Sequence, residues 1–177
     1  MKKLKNSELD RISVEEFKKS KKIPITILLE NIRSAHNIGS VFRTADSFLI
    51  NEIILCGISA QPPNKDIRKT ALGSSESVEW KYEKNIEVAI QKLKDEGNKI
   101  ISIEQTTNSI SLENFKPSNN CKYAIIFGNE LNGIEQRTID LSDMAIEIPQ
   151  YGTKHSLNIS VAAGIIIWNI FSKINLE

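Results

Sequence analysis

Two stretches decide the fold: Phe127-Gly128-Asn129-Glu130-Leu131-Asn132-Gly133-Ile134 and Ile148-Pro149-Gln150-Tyr151-Gly152-Thr153-Lys154-His155-Ser156-Leu157-Asn158-Ile159-Ser160-Val161-Ala162. Each leaves an apolar strand-like run, passes through a polar turn that carries glycine, and enters a helix-like segment. Small-molecule sites in open α/β sheets form at such strand-to-helix exits. Pro149 cannot continue a central strand, so the segment 150–155 reads as a loop over the end of the sheet. Gly128, without a Cβ, lets a flat ring approach the backbone. Glu130 follows it, suited to ordering nearby N–H groups, to pairing with an arginine, or to the positive end of a helix.

Working outward, six short β-rich apolar runs appear at 25–30, 52–57, 77–82, 99–105, 123–128 and 144–149. Cores such as Ile25-Thr26-Ile27-Leu28-Leu29 are nearly continuous rather than alternating, as in strands buried on both faces of a parallel sheet. Helix-like segments lie between them. The clearest is 85–96, where Ile86, Ala89, Ile90 and Leu93 share a face and Gly97 supplies a stop. Segments 37–48 and 155–172 are further helices, and 8–19 is a helix outside the sheet. Segment 58–64 and much of 106–120 read as loops. The class is therefore α/β: a mainly parallel six-stranded sheet with helices on both faces. Residues 1–177 form one domain, with 1–22 a basic helical extension. The helix after 155 is apolar on almost every side and must be covered by the fold or by a second subunit.

Bulk composition narrows the class further. Of 177 residues 40% are hydrophobic and 25% charged, as in an ordinary globular domain. Net charge is only +1, but residues 1–22 hold eight Lys/Arg against four Asp/Glu. Cys56 and Cys121 are isolated and read as buried thiols, not as a disulfide or zinc site. No apolar stretch follows the lysines at the N-terminus, and 161–171 is too short to span a bilayer. A cytoplasmic protein without a membrane segment is expected.

Several chemistries are excluded by motif. There is no Gly-x-Gly-x-x-Gly turn. Gly128 and Gly133 have phosphate-loop spacing, but Ile134-Glu135 follow where Lys-Ser/Thr is needed. His36 and His155 stand apart, so no metal site is expected. His155-Ser156 are neighbours in the chain, which does not make a base and a nucleophile. Upstream, Asn31-Ile32-Arg33-Ser34-Ala35-His36-Asn37-Ile38-Gly39-Ser40-Val41-Phe42-Arg43 offers Asn37 as a helix cap and Gly39 for close packing. Arg43 projects from the second turn of that helix, suited either to Asp46 at i+3 or to a phosphate or oxyanion.

Together, the Asn31–Arg43, Phe127–Ile134 and Ile148–Ala162 stretches resemble the three motifs of the SpoU/TrmH-type RNA 2′-O-ribose methyltransferases of the SPOUT superfamily, in the family's order. The segments Lys69-Thr70-Ala71-Leu72-Gly73 and Glu104-Gln105-Thr106-Thr107 are also similar. The resemblance implies a C-terminal trefoil knot, S-adenosyl-L-methionine as cofactor, and a homodimer with the active site at the subunit boundary. Cofactor contacts are implied at Ile103, Glu104, Gly128, Ile148, Gln150, Ser156 and Leu157, with the adenine read by main-chain groups. The catalytic set implied is Arg43, Asn37, Glu130, Ser156 and Asn158. Gln150 departs from the Met or Leu that relatives often carry.

The reaction implied is methyl transfer to a ribose 2′-hydroxyl of RNA, with tRNA favoured over rRNA. The family view makes the arginine the base, yet neutralising a guanidinium near pH 7 costs about 7 kcal/mol. Arg43 is therefore expected to bind phosphate and steady the developing alkoxide. RNA capture is expected to rest on Arg11, Lys18 and Lys19 of the N-terminal segment, on Arg33, on Lys65, Arg68 and Lys69, and on Lys154. Two other readings remain: a non-catalytic RNA-binding factor on the same fold, and a methyltransferase acting on a base nitrogen.

Overall fold

The central strands are β1 (Ile23–Glu30), β2 (Ile50–Cys56), β3 (Glu79–Glu83), β4 (Asn98–Ile103), β5 (Ile110–Ser111), β6 (Lys122–Phe127) and β7 (Met144–Glu147), in a computed structural model that describes residues 1–174. All pairs are parallel, in the order β3-β2-β1-β6-β4-β7-β5. The continuous apolar reading of β1 has its cause here. Ile25, Ile27 and Leu29 pack into one hydrophobic layer while Leu28 packs into the other. The first layer also holds Phe17 of α1 (Val14–Lys19), Ile38, Val41 and Phe42 of α2 (Ala35–Ser47), Ile67 of α3 (Lys65–Ala71) and Ile166 and Ile170 of α7 (Ile159–Lys173). The second holds Ile86, Ala89, Ile90 and Leu93 of α5 (Ile86–Asp95), with Ile139 of α6 (Gln136–Asp140) against it. Helices thus cover both faces, as expected.

The sheet has seven strands rather than six. Ile110 and Ser111 lie in a stretch expected to be loop, and pair with Ile146 and Glu147 of β7. The Leu112 N–H donates to the Glu147 carbonyl at 2.9 Å to close that edge. Two residues are too few to carry a strand period. The N-terminal extension is less helical than expected. A 3-10 turn covers Asn6–Glu8, Asp10 adopts φ 25°, and α1 begins only at Val14. Ser13 caps it and Glu16 returns the bond to the Ser13 N–H, a Ser-x-x-Glu capping box that fixes the start.

Caps also move two other helices. Ser34, not Asn37, caps α2 by accepting from the Asn37 N–H, which places Arg43 in the third turn. Asn158 caps α7, which therefore begins at Ile159 instead of His155. Gly39 does allow close packing: a Cβ there would sit 2.1 Å from Thr70 Oγ1 and 2.3 Å from the Ile67 carbonyl on α3. Both cysteines are free. Cys56 is buried, which pushes its thiol up to about 12, whereas Cys121 is only half-buried. Among the described residues no helix is long and apolar enough to cross a membrane, and no cluster could hold a metal ion.

Candidate functional site

A cavity of about 680 Å³ opens at the C-terminal ends of β4, β6 and β7. Its walls are the strand-to-helix exits singled out in the sequence. Ile103, Glu104, Gly128, Ile148, Gln150, Ser156 and Leu157 all line it, and so do Glu130 and Asn158. The volume is that of a small-molecule site.

Glycine makes the wall after β6 possible. Asn129 and Gly133 exchange main-chain bonds at 3.0 and 2.9 Å, folding the segment between them into a tight loop. A Cβ on Gly128 would lie 2.3 Å from the Gly133 carbonyl carbon and from the Ile134 nitrogen. Gly133 has φ +68°, and a Cβ there would lie 2.2 Å from Glu104 Oε2. That carboxylate accepts from the Gln105 N–H at 2.9 Å and the Ile134 N–H at 3.0 Å, tying the end of β4 to the loop. The Gln105 side chain then donates to the His155 carbonyl at 2.8 Å and fastens the third wall. Sequence reading had not singled out Gln105 or Asn129 for any role. Both act through polar contacts that no local pattern announces.

Glu130 is engaged on both oxygens. It accepts from the Arg33 N–H at 3.1 Å, the Ser34 N–H at 3.2 Å and Asn37 Nδ2 at 3.2 Å. Desolvation pushes its carboxyl up, but these bonds and one from its own backbone outweigh burial, so the net displacement is downward. Asn37 Oδ1 in turn accepts from Asn158 Nδ2 at 3.2 Å, and Asn158 Oδ1 accepts from the Ser160 N–H at 2.8 Å. A polarised chain of bonds therefore joins all three motifs. The carboxylate fixes which way each amide faces.

Arg43 does not line the cavity. It is exposed on α2 and has no ion-pair partner among the described residues. The pairing with Asp46 is not made; Asp46 Oδ2 accepts from the Ser77 hydroxyl. Arg33 lies at the start of α2 and Lys154 in the loop after β7, both exposed. Arg11, Lys18 and Lys19 are exposed on the N-terminal segment, and Arg68 and Lys69 on α3.

The cavity's charge limits what it can hold. Glu104, Glu130 and Glu147 line it, with no Lys or Arg. A phosphate-bearing nucleotide would be repelled there, whereas a cofactor carrying positive charge fits. No main-chain N–H from Gln150 to Leu157 has a hydrogen-bond partner among the described residues, so that loop offers its backbone to a heteroaromatic edge.

Residues 24–168 match the model of the SpoU rRNA methylase family. The chain belongs to that family. It is 31% identical over 151 residues to a tRNA (guanosine(18)-2′-O)-methyltransferase of Borreliella burgdorferi, covering 85% of this chain and 67% of that one. It is 30% identical over 144 residues to the 23S rRNA (guanosine-2′-O-)-methyltransferase RlmB of Neisseria meningitidis, covering 81% and 56%. The fold is that of the A. aeolicus TrmH/SpoU tRNA modifying enzyme, with a TM-score of 0.79 at 22% identity over 90% of this chain and 81% of the other.

Proposed function

We propose that this SpoU-family chain methylates a ribose 2′-hydroxyl of RNA with S-adenosyl-L-methionine as donor, and that tRNA is its substrate. The observation that carries the reading is the acidic, phosphate-excluding cavity walled by the second and third motifs, with the first motif bonded to its wall through Glu130. Solved structures of the same fold include one described as an AdoMet-bound rRNA methyltransferase from Sinorhizobium meliloti. The two relatives above act, by name, on ribose 2′-oxygens of tRNA and 23S rRNA.

In this reading Ile103, Ile148, Gln150 and Leu157 flank the adenosine, with main-chain groups of the 150–157 loop reading its edge. Gly128 gives the ring room, and Glu104 holds two cavity walls together while adding negative charge. When bound, the sulfonium supplies an activated methyl; the ribose oxygen forms the new C–O bond as the C–S bond breaks, and one proton is released. Placement is the chain's main contribution, since orientation alone can be worth about 7–11 kcal/mol. Ser156 and Asn158 shape the mouth of the cavity. Glu130, with both oxygens taken, is a positioning residue and not the proton acceptor. Arg43 binds the phosphate next to the reacting ribose and steadies the alkoxide.

Arg43 reaches that place in a homodimer, where it meets the cavity of the partner subunit. Val161, Ile165 and Trp168 support this: they recur at helical spacing on α7 and are 50%, 37% and 55% exposed in the single chain. Residues 1–177 act as one domain, with 1–22 as its basic arm, and the tail after Met144 is tucked through a knot. β7 lies between the earlier strands β4 and β5, so the chain returns into the sheet after both.

The test is mass spectrometry of nucleosides from unmodified tRNA and rRNA incubated with the protein and S-adenosylmethionine. A 2′-O-methyl nucleoside is expected from tRNA. A methylated base with intact ribose, or cofactor binding with no methylation of either RNA, would overturn the reading.

A further inference from the structure

Away from the cofactor cavity, α3 and α4 (Ser74–Ser77) wall a second hollow of about 460 Å³, lined by Lys65, Arg68, Lys69, Gly73, Ser75 and Glu76. Three cations against one carboxylate stand out in a chain of net charge +1. All three cationic side chains are exposed. Lys65 and Arg68 have no ion-pair partner among the described residues, and Lys69 is held by Asp66 at 3.3 Å. With Lys65 and Arg68 left unpaired, like charges gathered in one hollow repel one another, so the grouping costs stability unless an anion joins it.

The hollow is fixed relative to the residues around it. Thr70 Oγ1 donates to the His36 carbonyl at 2.9 Å, and the close approach at Gly39 presses α3 onto α2. On the other side α4 packs against α1, which carries Lys18 and Lys19. Cations from three distant parts of the sequence therefore lie on consecutively packed helices: α1, then α3 beyond α4, then α2 with Arg43. The spacing of Lys65, Arg68 and Lys69 at i, i+3 and i+4 puts them side by side on one helix face. Such a row suits a repeating anion better than a single one, and nucleic-acid backbone repeats its charge along each strand.

Resting on the RNA reading above, we propose that the α3–α4 hollow is a phosphodiester cradle that holds the substrate RNA away from the reacting ribose, with α1 extending the track. The cradle is sequence-blind. It supplies affinity and register, while the cofactor cavity supplies chemistry.

The test compares the salt dependence of binding to an unmodified tRNA transcript, by fluorescence anisotropy, for the wild-type chain, the triple variant Lys65→Ala/Arg68→Ala/Lys69→Ala, and Glu76→Gln. Each phosphate released contributes about 0.7–0.9 to the log–log slope, so the triple variant should be shallower by roughly 2–3 between about 50 and 200 mM salt. Its tRNA affinity should fall about tenfold or more at the low end, with S-adenosylmethionine affinity within about twofold of wild type. Glu76→Gln removes the one carboxylate that lines the hollow and should tighten tRNA binding by about two- to threefold, which a merely structural role would not do. An unchanged slope, or weaker binding at unchanged slope, overturns the cradle. If the wild-type chain binds and methylates RNA and the triple variant keeps its slope, the cradle alone falls. If the wild-type chain binds neither tRNA nor rRNA, the methyl-transfer reading falls with it.

Discussion

Replacing Asn37 by Asp changes one group of consequence: an amide N–H that donates to Glu130 becomes a second carboxylate oxygen facing the first. The two groups lie 3.2 Å apart, and Glu130 cannot turn away without releasing the Arg33 and Ser34 N–H groups at 3.1 and 3.2 Å. A hydrogen bond to a charged acceptor is worth about 1.5–3 kcal/mol, toward the low end for a pair this exposed. Two unit charges at such a distance repel by about 1 kcal/mol in bulk water and about 4 kcal/mol near a protein surface. Together the substitution should cost about 3–4 kcal/mol, which lowers Tm by roughly 6–16 °C for a chain of this size. The sign with pH follows. Repulsion raises the folded-state pKa of the new carboxyl pair above its unfolded value. The penalty is therefore full at neutral pH, shrinks as pH falls through the folded pKa, and is gone below about 4. Thermal melts of wild type, Asn37→Asp and Asn37→Ala at about pH 7.5 and 5 separate the contributions. The Ala variant loses the bond to Glu130 and the one from Asn158 but adds no charge, so its gap should stay nearly the same at both pH values. An Asp variant that melts with wild type at neutral pH, or a gap that widens in acid, would refute the reasoning.

Gly128→Ala should abolish measurable cofactor binding in calorimetry and cost more than about 1–3 kcal/mol, because its Cβ would meet main chain at 2.3 Å and main chain cannot swing aside. Glu30 is buried; burial pushes its carboxyl up, partly offset by the Thr138 hydroxyl at 2.7 Å and the Glu135 N–H at 3.4 Å. A raised folded pKa is a cost above that pKa which eases as pH falls through it, so Glu30→Gln should lie within about 1 kcal/mol of wild type at neutral pH and lose this acid-side gain. Urea unfolding at two pH values checks it, and destabilisation beyond about 2 kcal/mol would contradict it. Arg43→Lys should leave Tm unchanged, since the side chain is exposed and unpaired, while kcat falls about 100-fold with loss of the planar fork. Near-intact turnover would remove Arg43 from the role given to it. Trp168→Asp should convert a dimer to a monomer in light scattering and take activity with it; a monomeric wild type contradicts the boundary site.

Where the sequence carried period or punctuation, it was readable. β1, β2, β4, β6 and β7 lie where nearly continuous apolar runs stand, because strands covered on both faces need apolar side chains on both. Helix α5 has its stripe and its stop. What escaped was short or edge-placed. α3 and α6 have seven and five residues, too few for a helical period to register. The expected third strand began two residues early because Ser77 ends α4 and bonds Asp46 before the chain extends. The site was legible as far as its walls, since glycine and proline mark strand exits. Its bonding was not. Glu130 and Asn158 lie 93 and 121 residues from Asn37 along the chain, and an amide's partner is set by whatever the fold brings opposite it.

That hidden bonding bears on how the site works. A lone carboxylate in the second motif invites assignment as the base, but a base needs a free lone pair directed at the substrate. Glu130 spends both oxygens on donors of the first motif, and these hydrogen bonds lower its basicity further. Its place is structural in a specific sense: it holds the start of α2, the helix that carries Arg43, to the loop that lines the cavity. Asn37 and Asn158 then pass the same constraint to the start of α7, whose exposed face is the proposed subunit contact. The arginine, the cavity walls and the helix of the proposed subunit contact are thereby tied to one another by three side chains. Such coupling explains why changes at Glu130 or Asn37 should injure both cofactor binding and turnover, without either residue touching a proton in flight. Glu130→Gln separates the two accounts. If Glu130 were the base, turnover would collapse while Tm and cofactor affinity held; as a positioning residue, all three should fall together.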